Sequence, residues 1–338
     1  MQSTATQVVL GTFVGIFAYC LVVLRTIRSG DENEFVPSIT VLAAVGLALV
    51  GVAFLVFFIH HIASSIQVTT IMDEITVETF SGVDHLFPQE LGDEQEEDAP
   101  PPLLLQIQWR PVRSLAAGYM QSVEEDALLR FAQERDTMIR LESSIGGFVA
   151  EGTPLVTVPR EFPLDEDAVR ELNRLFAIDR FRTIEQDASF GIQLLVDIAL
   201  KALSTGVNDS RTAVTCVDHL MAILIRVARR RVANPYRYAE GQLRVIAHGP
   251  TFRSLVQDAF EPIRRVGDFA VINRMAEAIE VIADATQNGQ RRQMLCEQLE
   301  HLREAVEDRI VSEYDRSQLR RRLAEIEQRI RYVAPASS

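Results

Sequence analysis

Hydrophobic and polar positions divide the chain into two kinds of text. From Val8 to Leu24 and from Ile39 to Ile59 the sequence is uncharged and apolar without a break, and each run is close to the roughly 20 residues a helix needs to cross a bilayer. A short polar link with Arg25, Arg28, Asp31, Glu32 and Glu34 joins them, and Pro37 stands where it starts a second helix. The pattern predicts a membrane α-helical hairpin. The first run lacks the basic leader and small-residue cleavage site of a signal peptide. Gly11 and Gly15 make a GxxxG in the first run, and Gly46 and Gly51 notch the second, so close packing of the two helices is expected.

After the second run the pattern changes. His60 and His61 are read as interfacial anchors, because adjacent helix positions point to different sides and cannot share a metal. Ser64 to Phe80 continues as a helix with Ile66, Ile71, Ile75 and Val77 as its apolar positions, and the acids and prolines of Gly92 to Pro102 read as a solvated linker. Residues 103–158 look β-rich, with strands within Val112 to Ser122, a helix over Glu124 to Glu134 burying Leu128, Leu129 and Phe131, and alternation over Thr137 to Ser143. Gly146-Gly147-Phe148-Val149 and Gly152-Thr153-Pro154-Leu155-Val156 give the two-turn pattern G-F-V-x-x-G-x-P-L, which is similar to biotinyl and lipoyl domains and other barrel-sandwich hybrids. Those carriers hold their cofactor on a lysine in an exposed hairpin, and this segment contains no lysine, so covalent biotin or lipoate is excluded.

The remainder reads as helical. Asp165 to Phe176, residues 188–203 and Ser210 to Arg230 follow one another; Leu243 to His248 is a short strand stopped by Gly249-Pro250. Thr251 caps a helix interrupted by Pro262 and Gly267, and Asp268 caps the next as far as Thr286. Leu295, Leu299, Leu302, Val306 and Ile310, then Leu319, Leu323, Ile326 and Ile330, predict two amphipathic helices or one kinked one. The fold class expected is therefore a membrane hairpin followed by an α+β soluble region, a small barrel-sandwich-like β domain plus an α-helical domain. Its divisions are a hairpin over 1–66, a helix extension and acidic linker over 67–102, the β-rich domain over 103–160, the helical domain over 161–333 and a frayed tail over 334–338.

The densest polar text lies between Phe181 and Cys216. Within residues 188–203, Ser189, Gln193, Asp197 and Lys201 recur every fourth position and line one stripe, so the rest of that helix is buried. Asp197 and Lys201 stand at i,i+4 with the acid first, the favourable order for an ion pair. Ser204-Thr205-Gly206 ends the helix, with Gly206 suited to the left-handed conformation, and Asn208-Asp209-Ser210 are capping types for the next. Two readings of this corner stand side by side. Its polar residues Arg182, Gln186, Asp187, Asp197, Ser204, Asn208, Asp209 and Arg211 either brace and cap the helices or line a ligand-binding site.

The residues Arg182-Thr183, Gln186-Asp187, Phe190-Gly191, Asp197-Ile198-Ala199, Ala202-Leu203-Ser204, Asn208-Asp209 and Thr212-Ala213 resemble the signature of the domain-of-unknown-function 2254 family of predicted bacterial membrane proteins. The resemblance covers the whole chain. Thr205 and Ser210 stand where the family pattern usually has proline, which loosens the corner. Family members generally carry another hydrophobic hairpin before this one, so Met1 is read as an internal start or a boundary. The resemblance implies a multi-pass protein of the bacterial inner membrane and no established activity.

Charge and composition narrow the classes. A formal charge of −13 and a pI near 5.0 exclude a nucleic-acid surface, which needs a basic face. Cys20, Cys216 and Cys296 form no CxxC pair, and the 6 histidines show no metal-ligand spacing, so neither disulfides nor a metal is expected. Lys201 is the only lysine. Arg226, Arg229, Arg230 and Arg231 crowd the end of one helix, as dipole partners or as an anion or lipid-headgroup site. His219 reads as a core or boundary histidine. No nucleophile elbow, phosphate loop, zincin or dinucleotide motif is present, no catalytic residue is assigned, and no cofactor is expected. The partners expected are the lipid bilayer and further copies of the chain. Free cysteines favour a cytoplasmic soluble domain, although Arg25 and Arg28 in the link favour the opposite orientation. An oligomeric channel- or transport-related complex is the first functional reading, and a membrane-anchored sensor or scaffold binding at the 182–211 corner is the alternative. A hydrolase-like corner is a third, and it requires Asp187 and Asp209 to share one cleft.

Overall fold

The computed structural model describes residues 2–26, 38–65, 68–86, 104, 106–230, 235–247 and 249–332. Arg28, Asp31, Glu32, Glu34 and Pro37, the side chains of His60 and His61, the linker over 92–102, Arg231, His248 and the tail over 334–338 lie outside the described residues. The chain divides into two units, 1–71 and 72–338.

The first unit contains α1 (Gln2–Thr26) and α2 (Ser38–Ser65), which pack on each other. Their contact uses Gly51, where an added Cβ would lie 3.2 Å from Ile16 Cδ1, whereas Gly11, Gly15 and Gly46 have nothing within 4 Å among the described residues. The expected membrane hairpin is corrected: among the described residues no helix is long and apolar enough to cross a membrane.

The unit boundary falls inside α3 (Val68–Leu86). The second unit continues with β1 (Trp109–Arg113), β2 (Gly118–Val123), α4 (Glu125–Glu134), β3 (Ile139–Leu141), β4 (Phe148–Val149), β5 (Pro154–Pro159), α5 (Glu166–Arg174) and β6 (Phe176–Asp179). Then come α6 (Ala188–Ala202), α7 (Ser210–Ala228), β7 (Tyr236–Ala239), β8 (Gln242–Ile246), α8 (Phe252–Arg264), α9 (Phe269–Asp284), α10 (Gly289–Arg309) and α11 (Glu313–Tyr332).

The strands form two open sheets, β1-β5-β3-β8-β7 and β4-β2-β6, and no closed barrel among the described residues. This corrects the barrel-sandwich expectation. The glycine-rich run that suggested it is split between the sheets: β4 pairs antiparallel with β2, β5 pairs with β1 and β3, and Gly152 at φ +79° turns the chain between them. The larger sheet also takes β8, parallel to β3 with Ile139 opposite Val245, and β6 joins β2 in the smaller one. One core fills this β region, centred on Met120, Leu128, Leu155 and Leu172.

A second core is helical, and capping explains its boundaries. Asp187, Asp209, Thr251, Asp268 and Asn288 each accept a backbone N–H in the first turn of α6, α7, α8, α9 and α10, which satisfies donors that a helix leaves open at its start. Pro262 lies inside α8 and does not end it. The buried face of α3 is Met72, Ile75, Thr76, Thr79 and Val83, a 3,1,3,4 spacing that leaves Val77 exposed. Gly191 of α6 lies against α3: a Cβ there would sit 1.8 Å from Thr79 Oγ1.

Candidate functional site

Asp187 is 4% exposed and caps α6, its Oδ1 accepting Phe190 N at 3.0 Å. Its Oδ2 accepts Nε and Nη2 of Arg182 at 3.1 and 2.6 Å. The guanidinium donates onward from Nη1 to Gln193 Oε1 at 2.6 Å and stands 4.6 Å from the Phe190 ring centroid. Arg182 is thereby held on both edges and one face. An arginine–carboxylate pair with two donors on one oxygen at this depth is costly to break, about 3–5 kcal/mol when one partner is removed, because the other is left as an uncompensated charge.

Two elements distant in sequence complete this brace. Gly146, at φ +82°, passes so close over the pair that a Cβ would fall 1.9 Å from Asp187 Oδ2 and 2.7 Å from Arg182 Nη2. Gln186 Oε1 accepts Val123 N at 3.2 Å, tying the segment before α6 to β2. Asp258 on α8 also feels Arg182: burial pushes its carboxyl above the usual range, and the guanidinium charge offsets part of that rise. The segment from 182 to 187 is therefore the seam between the β region and the helical core.

The remaining candidates lie elsewhere. Asp197 and Lys201 are exposed on the outer face of α6 and form no ion pair with each other. Beyond the C-terminus of α6, Ser204 O accepts Val207 N and Asn208 N at 3.0 and 2.9 Å, and Ser204 Oγ donates to Lys201 O at 2.7 Å. Asn208, not Gly206, takes the left-handed conformation, at φ +51°. Asp209 accepts Thr212 N at 3.1 Å and Thr212 Oγ1 at 2.6 Å, and the Thr212 hydroxyl holds its carboxyl below the usual range. Arg211 is exposed. Since α6 runs over 15 residues, about 22 Å at 1.5 Å per residue, the helix itself keeps Asp187 and Asp209 apart. A single cleft holding both carboxylates is not formed.

What the corner does border is an open cleft of about 470 Å³, walled by Leu203, Thr205 and Asn208, by Val266 to Phe269 at the start of α9, and by Arg309 to Ser312 with Asp315 between α10 and α11. Ser210 Oγ donates to Oδ2 of the lining residue Asp268, and Arg309 donates from Nη2 to Val266 O at 3.3 Å and from Nε to Gly267 O at 3.4 Å. Val207 and Val311 are exposed close by, the latter at 93%.

The arginines at the end of α7 have a partner that the sequence did not point to. Arg226 donates to Asp84 Oδ1 at 2.6 Å and lies 4.9 Å from the Phe80 ring, and Arg230 reaches Asp84 at 2.6 Å. The Arg226 hydrogen bond holds Asp84 below the usual carboxylate range. Asp84, Gly146, Asp258 and Asp268 were not among the residues singled out as site candidates; of these, Gly146 stood in the glycine-rich run and Asp268 was read only as a helix cap.

The family model described as "Predicted membrane protein (DUF2254)" matches residues 1–281. The chain belongs to that family. Two relatives described as uncharacterized proteins, MT1328 of Mycobacterium tuberculosis (strain CDC 1551 / Oshkosh) and Mb1321c of Mycobacterium bovis, are each 30% identical to this chain over 356 residues. The alignments span 100% of this chain and 67% of each relative. No solved structure matches it. Within the DUF2254 match lie Gly146, Arg182, Asp187 and the corner at 203–210, whereas the cleft wall at 309–315 lies beyond residue 281.

Proposed function

We propose that this protein is a membrane-associated scaffold or sensor whose second unit receives a ligand or partner at the corner cleft. The observation that carries the reading is the construction of that corner. Residues 203–210 spend Ser204, the left-handed Asn208 and the Asp209 cap on fixing a backbone that walls a cleft. Pre-fixed backbone beside polar side chains lowers the ordering cost of binding. The signature residues divide their work on this account: Arg182 and Asp187 lock the β region to the helical core, and Leu203 and Asn208 line the cleft. Membership of a family of predicted membrane proteins supports a partner or ligand met at a membrane.

A channel- or transport-related homo-oligomer of the inner membrane is the second reading, supported by the family description and by the close approach of α2 to α1 at Gly51. Subunit counting separates the two. A closed ring of four or more copies favours the channel; a monomer or dimer whose bound partner is lost on Thr205→Arg and Ser312→Arg, both of which fill the cleft, favours the scaffold. Retention of the partner in both variants contradicts the scaffold reading.

A further inference from the structure

His219 on α7, with its side chain 18% exposed, meets α3 through both ring nitrogens. Nδ1 lies 2.9 Å from Thr76 Oγ1, and Nε2 lies 3.7 Å from Asp73 Oδ1. The Thr76 hydroxyl gives its single proton to Met72 O at 2.7 Å, the back-bond threonine makes inside helices. Its oxygen is therefore the acceptor toward the ring, and Nδ1 carries the hydrogen. In the neutral ring Nε2 carries only a lone pair and stands 3.7 Å from the Asp73 carboxylate, so two acceptors are neighbours. A proton on Nε2 replaces that with a charge pair.

The other groups along this seam are occupied differently. Cys216, 3.3 Å from Met72 Sδ, is a buried thiol pushed up to about 12. Asp218, beside His219 on α7, is engaged by Arg274 of α9, which also donates to Glu277 at 2.8 Å. Asp84 of α3 is engaged by Arg226 and Arg230 of α7. From α6, Gly191 meets Thr79. Imidazole is the side chain whose charge ordinarily changes between about pH 5 and 8, and His219 is the imidazole that bridges α7 and α3 here.

We infer that His219 is a proton-operated latch: protonation fastens α3, through Asp73, to α7, and deprotonation loosens it. This matters because α3 is the helix by which the chain enters the second unit. The inference is independent of what occupies the corner cleft.

The test is hydrogen exchange of the α3 amides over 72–80 in the full chain, near pH 5.5 and near pH 7.5, each corrected for intrinsic rates. Protection in the unaltered protein is expected to be about two- to five-fold greater at the lower pH, the effect of a partly exposed ion pair. Asp73→Asn, at a position 73% exposed in its side chain, is expected to abolish that difference without lowering protection near pH 7.5. His219→Asn retains an amide N–H for Thr76 and is expected to abolish it too. Equal protection at the two pH values in the unaltered protein, or a difference that survives Asp73→Asn, overturns the latch.

Discussion

Gly146 and Asp187 are 41 positions apart and in van der Waals contact: no side chain larger than hydrogen fits between the Gly146 backbone and the carboxylate that closes on Arg182. Backbone from the β region thus seals an ion pair at the head of the first helix of the helical core. Neither partner of that pair is free to turn to solvent without moving the turn.

Gly146→Ala is therefore expected to be among the most damaging small substitutions in the chain. It adds a methyl where the carboxylate stands and forces a non-glycine residue to φ +82°. Together these cost about 3 kcal/mol or more. Unfolding followed by the fluorescence of Trp109, the chain's single tryptophan, on β1, measures it; a loss below about 1 kcal/mol would show that the turn yields and the seal is not tight.

The Arg182–Asp187 pair gives a double-substitution cycle. Asp187→Asn keeps a capping side chain for α6 but removes the charge, and Arg182→Met removes the guanidinium while keeping much of its length. Each alone is expected to destabilise by about 3 kcal/mol or more, and the two together by clearly less than their sum. Additive losses would mean that the two side chains act separately.

Asp84 and Asp258 are expected to respond to pH with opposite signs. Asp84 is held low in the folded chain by Arg226, so its contribution is present above the unfolded carboxylate value of about 3.9 and fades as pH falls through the folded value. Asp84→Asn should remove that acid-side loss and lower stability near neutrality. Asp258 is raised by burial, so its charged form works against the fold once the pH passes its unfolded value. Asp258→Asn should stabilise near pH 7 and change nothing near pH 3. Melting curves of both variants across that range decide it, and the same sign for both would contradict the assignments.

Much of the helical core was legible because its signals are local. Asp209, Thr251 and Asp268 stand next to the runs they cap, and the leucine spacing on either side of Glu313-Tyr314-Asp315 corresponds to α10 and α11, two helices joined by a break. The sheets were less legible. The parallel pairing of Ile139 with Val245 is a long-range choice that no window of sequence contains, and the Gly146 to Leu155 run suggested a barrel because its turns are real but its two strands go to different sheets. Asp187 and Asp209 read as neighbours in one signature, yet the helix between them sets them at opposite ends. The Asp84 contact with Arg226 and Arg230 crosses more than 140 positions and left no pattern in either segment.

The central claim is that the corner cleft is occupied when the protein works. Its most direct test is site-specific photo-crosslinking in intact cells, with the probe placed in turn at Thr205 and Ser312 on two walls of the cleft and at Glu134, an exposed residue at the end of α4. The account predicts one and the same discrete adduct from Thr205 and Ser312 and none from Glu134. No adduct from either cleft position, or the same adduct from all three, would contradict it.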